Sequence, residues 1–125
     1  MLKMTHFLPA AAIAFGLIAS TPAAFASESC AEQAAAIRKA QTAALDLKAD
    51  RAALLEKVET AGETWEDAQT VRNFSSDHAA RADTAKADYD ELKAQLRALD
   101  TELQTKAERT NARVSAYNTN CANEG

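Results

Sequence analysis

Apolar residues recur along this chain in steps of three and four between Cys30 and Cys121, the spacing of helices that bury one stripe each. Laid out as a seven-residue repeat, the first core position falls on Cys30, Ile37, Ala44, Arg51, Val58, Trp65 and Arg72, and the second on Gln33, Ala40, Leu47, Leu54, Ala61, Ala68 and Ser75. Ten of these 14 residues are apolar, so the segment reads as one helix with a coiled-coil seam. A second seam runs through Ala82, Ala85, Tyr89, Leu92, Leu96, Leu99, Leu103, Ala107, Thr110, Val114, Tyr117 and Cys121. Its two consecutive steps of four at Leu99, Leu103 and Ala107 form a stutter, which unwinds a supercoil locally without ending the helix.

Between the seams lies Arg72-Asn73-Phe74-Ser75-Ser76-Asp77. Asn, Ser and Asp side chains compete for backbone hydrogen bonds, so they favour turns and N-caps over helix interiors. The pattern predicts an all-α antiparallel helical hairpin: a helix over about 30–72, a turn over about 73–77 and a helix over about 78–118. Folding back near residue 75 requires partners across the seam to have numbers that sum to about 150. Cys30 with Cys121, Ile37 with Val114 and Ala44 with Ala107 each give 151. Leu47 with Leu103, Leu54 with Leu96, Val58 with Leu92, Ala61 with Tyr89 and Trp65 with Ala85 each give 150. Two seams read separately thus mesh in one register, and the two cysteines fall in it. Each helix is expected to run roughly 60 Å, with a Cys30–Cys121 disulfide clipping the open end. A rival reading breaks the first helix at Thr60-Ala61-Gly62-Glu63, which has the spacing of a capping box around a poor helix former. A lone two-helix coil leaves its seam edges open, so pairing into a dimeric four-helix bundle is a further expectation.

The first 26 residues are of another kind. A short polar start with Lys3 and His6 leads into an apolar stretch from Phe7 to Ala19, a Ser20-Thr21-Pro22 break and the small residues Ala24 and Ala26. That order is a secretory signal peptide, with cleavage expected after Ala26. The stretch is shorter and more Ala-rich than the roughly 20 strongly apolar residues of a membrane span, so no stable membrane insertion is expected after cleavage. Cys30 follows Ser27-Glu28-Ser29 rather than the apolar-small run of a lipid-attachment cysteine. The expected product is a single domain, residues 27–125, periplasmic or secreted, in a compartment where disulfides persist. It contains no proline and only Gly62 and Gly125 as glycines, which leaves few places to turn.

Charge refines this reading. Without the leader the chain carries 13 basic and 18 acidic residues. From Glu59 to Glu91 there are nine acidic residues against Arg72, Arg81 and Lys86, a net of −6. The bend half is therefore acidic and the cysteine half close to neutral. A solvated helix surface explains this; an acidic tip that meets a basic partner or loosely holds cations is the sharper reading. No basic stripe is present to neutralise phosphates, which argues against nucleic-acid binding.

Candidate chemistry is sparse. His78 is the lone histidine after the leader. With both cysteines paired, no His/Cys metal set, nucleophile–base arrangement or Gly-rich phosphate loop can be assembled. No catalytic, cofactor or metal site is expected, and the chain is not read as an enzyme. Trp65 packs opposite Ala85 or forms a partner contact. Phe74 staples the turn against Val71 or Ala79, or is an exposed partner contact. Arg51, a polar seam residue, sets register or lets its head reach water.

The stretch Ala82-Asp83-Thr84-Ala85-Lys86-Ala87-Asp88-Tyr89-Asp90-Glu91-Leu92-Lys93-Ala94-Gln95-Leu96 resembles a helical stretch in the periplasmic part of phage spanin inner-membrane subunits. Those proteins also end near a cysteine and help disrupt the bacterial outer membrane at lysis. The resemblance covers 15 residues and implies a lysis subunit with a retained anchor. The Ala24-Phe25-Ala26 cleavage motif departs from that pattern, and no residue role is carried over. The functional expectation is a structural or protein-interaction role in the cell envelope, through a protein partner or self-association. A small periplasmic chaperone or stress protein is the alternative, and a spanin-like lysis subunit the further one.

Overall fold

The computed structural model describes residues 28–122; the expected leader lies outside them. Two helices pack side by side in opposite directions. The first, α1, spans Cys30–Thr70, and the second, α2, spans Ser76–Asn120. At 41 and 45 residues each runs roughly 60 Å or slightly more. No strand is present among the described residues.

Local chemistry sets the ends. Ser29 is the N-cap of α1: its hydroxyl accepts from the Glu32 amide at 3.2 Å, and Glu32 accepts from the Ser29 amide at 2.8 Å. This reciprocal capping box satisfies donors that the first turn leaves without partners. Helix α1 stops at Thr70, two residues before the expected end, because the chain tightens into a single 3₁₀ turn over Arg72–Phe74, held by the Phe74 amide donating to the Val71 carbonyl at 3.0 Å. Ser75 then extends, and its hydroxyl accepts from the His78 amide at 3.2 Å to cap α2. The whole reversal occupies residues 71–75.

Gly62 does not break α1, so the three-helix alternative is overturned. The Thr60 hydroxyl donates back to the Glu56 carbonyl at 3.0 Å, as a mid-helix threonine does, and caps nothing. The reason Gly62 sits here is tertiary. A Cβ at that position would lie 3.2 Å from Tyr89 Cε2, so the absent side chain makes room for a ring from the other helix.

The seams meet in the expected register. Cys30 and Cys121 form a disulfide with Cα atoms 5.6 Å apart. Arg51 pairs with Asp100, and Gly62 lies against Tyr89. These three pairs share the sum 151. On α1 every expected seam position up to Arg72 is buried or half-buried. Ser75 is exposed because it serves as a cap. On α2 one position differs: Ala107, expected opposite Ala44, is exposed, and Lys106 is half-buried in its place. A step of three from Leu103 keeps the heptad phase, whereas a second step of four rotates the side chain out of the seam. The Lys106 stem lies along the seam and its ammonium reaches Glu102 at 3.7 Å.

The core is thin. Among the described residues, Val58, Ala82 and Cys121 are the buried apolar residues, joined by one buried polar side chain, Gln33. Gln33 sits at the clipped end, where its amide nitrogen donates to the Glu28 carbonyl at 3.0 Å. No buried side-chain nitrogen or oxygen among the described residues lacks a partner.

The disulfide joins residues 91 apart in sequence, and the chain-entropy account assigns a closed loop of that size roughly 4–5 kcal/mol. Reduction is therefore expected to lower the melting temperature substantially and to fray the helices from the open end, around Gln33, Ile37, Val114 and Tyr117, while the bend half stays helical. Circular-dichroism melts with and without reductant, with hydrogen exchange to locate the loss, check this. An unchanged melt contradicts it.

Candidate functional site

Three places on the hairpin concentrate side-chain chemistry. Near the bend, rings from the two helices stack. Trp65 of α1 and Tyr89 of α2 lie with centroids 5.7 Å apart and planes 20° from parallel. Lys93 Nζ sits 4.2 Å from the Tyr89 centroid, a cation–π contact. Gly62 provides the space that Tyr89 fills. Trp65 is thus half-buried and engaged with Tyr89 rather than simply facing Ala85. Beside it, Asp90 accepts from Lys86 at 2.6 Å and lies 3.0 Å from Lys93. These hydrogen bonds, Lys86 first and Lys93 second, hold the Asp90 carboxyl below the usual aspartate range.

At the bend, Phe74 is 75% exposed. Its ring meets His78 edge-on, with centroids 5.9 Å apart, and so much exposure leaves it no closed staple onto Val71 or Ala79. His78 is tied down by its own turn, with Nδ1 2.7 Å from the Ser75 hydroxyl. Arg72 bridges to Asp83 at 2.7 Å, tying the turn to the first part of α2. The acidic residues of this half are spread along both helices. Among the described residues no three His, Cys, Asp or Glu side chains come close enough to hold a metal ion.

Mid-hairpin, the Arg51 guanidinium reaches Asp100 across the seam. That hydrogen bond raises the Arg51 pKa further above its ordinary value. The arginine therefore uses its seam position to tie the two helices in register, with its head at the surface.

Two grooves open on one side of the hairpin. The one in the bend half, about 630 Å³, is walled by Thr60, Ala61 and Thr64 of α1 and Ala85, Asp88 and Leu92 of α2. The one in the cysteine half, about 470 Å³, has Ala36, Ala40 and Ala43 of α1 beside Thr110 of α2. Its charged lining is Lys39, Lys106, Arg109 and Arg113, with no carboxylate. This cationic groove was not visible as a motif, since Lys39 is far in sequence from the other three. The 150 register, applied to charged as well as apolar positions, would have assembled it. Leu45, 65% exposed, was likewise not singled out because it lies off the seam.

No family model matches the chain, and no curated protein or solved structure matches it.

The packing of Tyr89 into the gap at Gly62 predicts a coupled pair. Gly62→Ala alone is expected to be close to neutral, because the gain in helix propensity of about 1 kcal/mol is offset by displacing the ring. In a Tyr89→Ala background the same change should stabilise by about 1 kcal/mol. Thermal melts of the double-mutant cycle measure the coupling, and additive effects contradict the contact.

The carboxyls of Glu32 and Asp90 are both held below their usual range, Glu32 chiefly by the Ser29 amide and then its hydroxyl. The unfolded chain therefore binds protons more readily than the folded one in that range. The stability these groups contribute is present above the ordinary carboxylate range and is lost as pH falls through and below it. Melting temperature is expected to fall on acidification, and the fall should be smaller in an E32Q/D90N variant. Equal acid sensitivity in the two proteins contradicts this.

Proposed function

We propose that this hairpin is a non-enzymatic spacer or adaptor of the cell envelope, acting through its helix surfaces on a protein partner. The observation that supports it is the shape of the fold: two helices about 60 Å long clipped by a disulfide around a core of three buried apolar residues. Nearly every other side chain faces outward or lies at the seam edge, so what the structure offers is length and surface. The disulfide accords with a compartment outside the reducing cytosol, and the apolar leader with its small-residue cleavage motif accords with export. Among the described residues no helix is long and apolar enough to cross a membrane.

Phe74, a large ring left 75% exposed at the tip, is the first contact to test. In an envelope extract, immobilised hairpin with a photo-crosslinker beside Phe74 is expected to capture one discrete protein, and Phe74→Ala should reduce that capture several-fold. Absence of any specific product speaks against the adaptor role. A small chaperone is the second reading, favoured by exposed Leu45 and Leu55. It predicts that the hairpin suppresses light scattering from an aggregating client at equimolar dose, which an adaptor does not.

A further inference from the structure

We propose that the grooved side of the hairpin is the seat of a second copy of the same chain, docked antiparallel so that the cysteine half of one lies on the bend half of the other. The proposal is independent of the envelope role, because it rests only on the charges and spacing of this face.

The two grooves occupy the same side along the whole length. Their α1 residues, Ala36 and Ala43 in one and Lys57 and Thr64 in the other, fall at whole multiples of seven and so lie in line on a coiled-coil helix. Asp67 follows Thr64 by three and Glu91 follows Asp88 by three, which keeps both on this side. A two-fold axis crossing the face at mid-length passes Ala53 of α1 and Ala98 of α2, both exposed and small, and sets each helix against its own mate in the opposite direction.

That axis matches most of the charges on this face with charges of opposite sign. Lys39 lies 14 residues to one side of Ala53 and Asp67 lies 14 to the other, so each Lys39 comes over the mate's Asp67. Lys57 and Asp50 flank Ala53 at four and three residues and pair in the same way. On α2, Arg109 and Asp88 lie 11 and 10 residues either side of Ala98, and Lys106 and Glu91 lie eight and seven. Of the other charged residues of the face, Asp46, Glu102, Arg81 and Arg113 come over Thr60, Ala94, Ser115 and Asp83 by the same count, while Glu56 comes over Asp50, a like-charge contact that the opposite-sign pairs outnumber. A parallel arrangement instead sets Lys39 over Arg109 and Arg113 and one acidic bend over the other, which like-charge repulsion disfavours.

The face is large enough. A strip about 60 Å long and two helices wide offers about 1,000 Å² per copy, against roughly 800 Å² per partner in a standard stable interface. The product is a four-helix bundle in which every neighbouring pair of helices is antiparallel.

Sedimentation equilibrium of the oxidised protein, residues 27–125, at tens of micromolar in low salt should give the dimer mass, with dissociation rising in high salt. Arg109→Glu and Asp88→Arg, each made alone, should weaken the dimer by about tenfold or more, because each reverses a pair that occurs twice. Combined as R109E/D88R, they should restore it to within a few-fold of the parent. Both positions are exposed, and circular dichroism will show the helices intact. A monomer at all concentrations overturns the proposal. A dimer indifferent to both single changes places the contact on another face and also overturns it. A double variant no better than the singles rules out the antiparallel pairing.

Discussion

Two helices of 41 and 45 residues share a seam that buries only Val58, Ala82 and Cys121 among apolar side chains, so the covalent tie at the open end sets how the rest can behave. A single seam between two helices covers each core residue on one side and leaves the flanks wet. Alanine, which fills many of the layers, contributes little area for burial. Closing a loop of 91 residues removes freedom from the unfolded chain, an effect that needs no core volume. It also holds Cys30 and Cys121 in one layer, and from there the register of Arg51 with Asp100 and of Gly62 with Tyr89 follows. The buried Gln33 beside the bridge fits the same picture, since its amide nitrogen bonds to the Glu28 carbonyl and secures the strand of chain leading into α1.

At the other end the fold relies on direct packing. Tyr89 fills the gap left at Gly62, stacks on Trp65 and carries Lys93 on its ring. Arg72 then ties the turn to Asp83. The hairpin is held by different physics at its two ends: a bond that restricts the unfolded state at one, and aromatic contact with a short capped turn at the other. Between them Arg51 and Asp100 form an exposed bridge, whose value lies in fixing register more than in stability.

A molecule built this way has little interior in which to place chemistry. Its polar groups are distributed along two surfaces, and the differences that matter are between sides and between halves. One side is grooved and carries cations near the cysteines, where the lining has no carboxylate. The bend half carries nine of the 18 acidic residues against only three basic ones. Phe74 projects at the tip. These features favour recognition by shape and charge along a length, which is the basis on which an adaptor role and an antiparallel pairing are both proposed.

The hairpin, its register and its disulfide were legible in the sequence because helical period is local and because the two cysteines and most of the apolar seam positions agree to within one residue on where the chain folds back. The turn was legible from Asn73, Ser75, Ser76 and Asp77 for the same local reason, since such side chains compete for nearby backbone hydrogen bonds, as Ser75 does in capping α2. The capping box of Ser29 and Glu32 is equally local but straddles the first seam residue, Cys30, and carries no signal in the apolar period. What only the tertiary structure decided was whatever depends on the second helix. Gly62 looked like a break until Tyr89 occupied its missing side chain. Trp65 stacks on a ring of the second helix, Tyr89, that its seam position alone did not indicate. Lys106 displaced Ala107 from the seam because packing phase, not hydrophobicity, chooses which neighbour faces inward. The cationic groove exists only where Lys39 meets a helix that begins far along the chain. Period along one helix is written residue by residue, but contact between two helices depends on rotation and shape at each layer, which no single stretch of sequence contains.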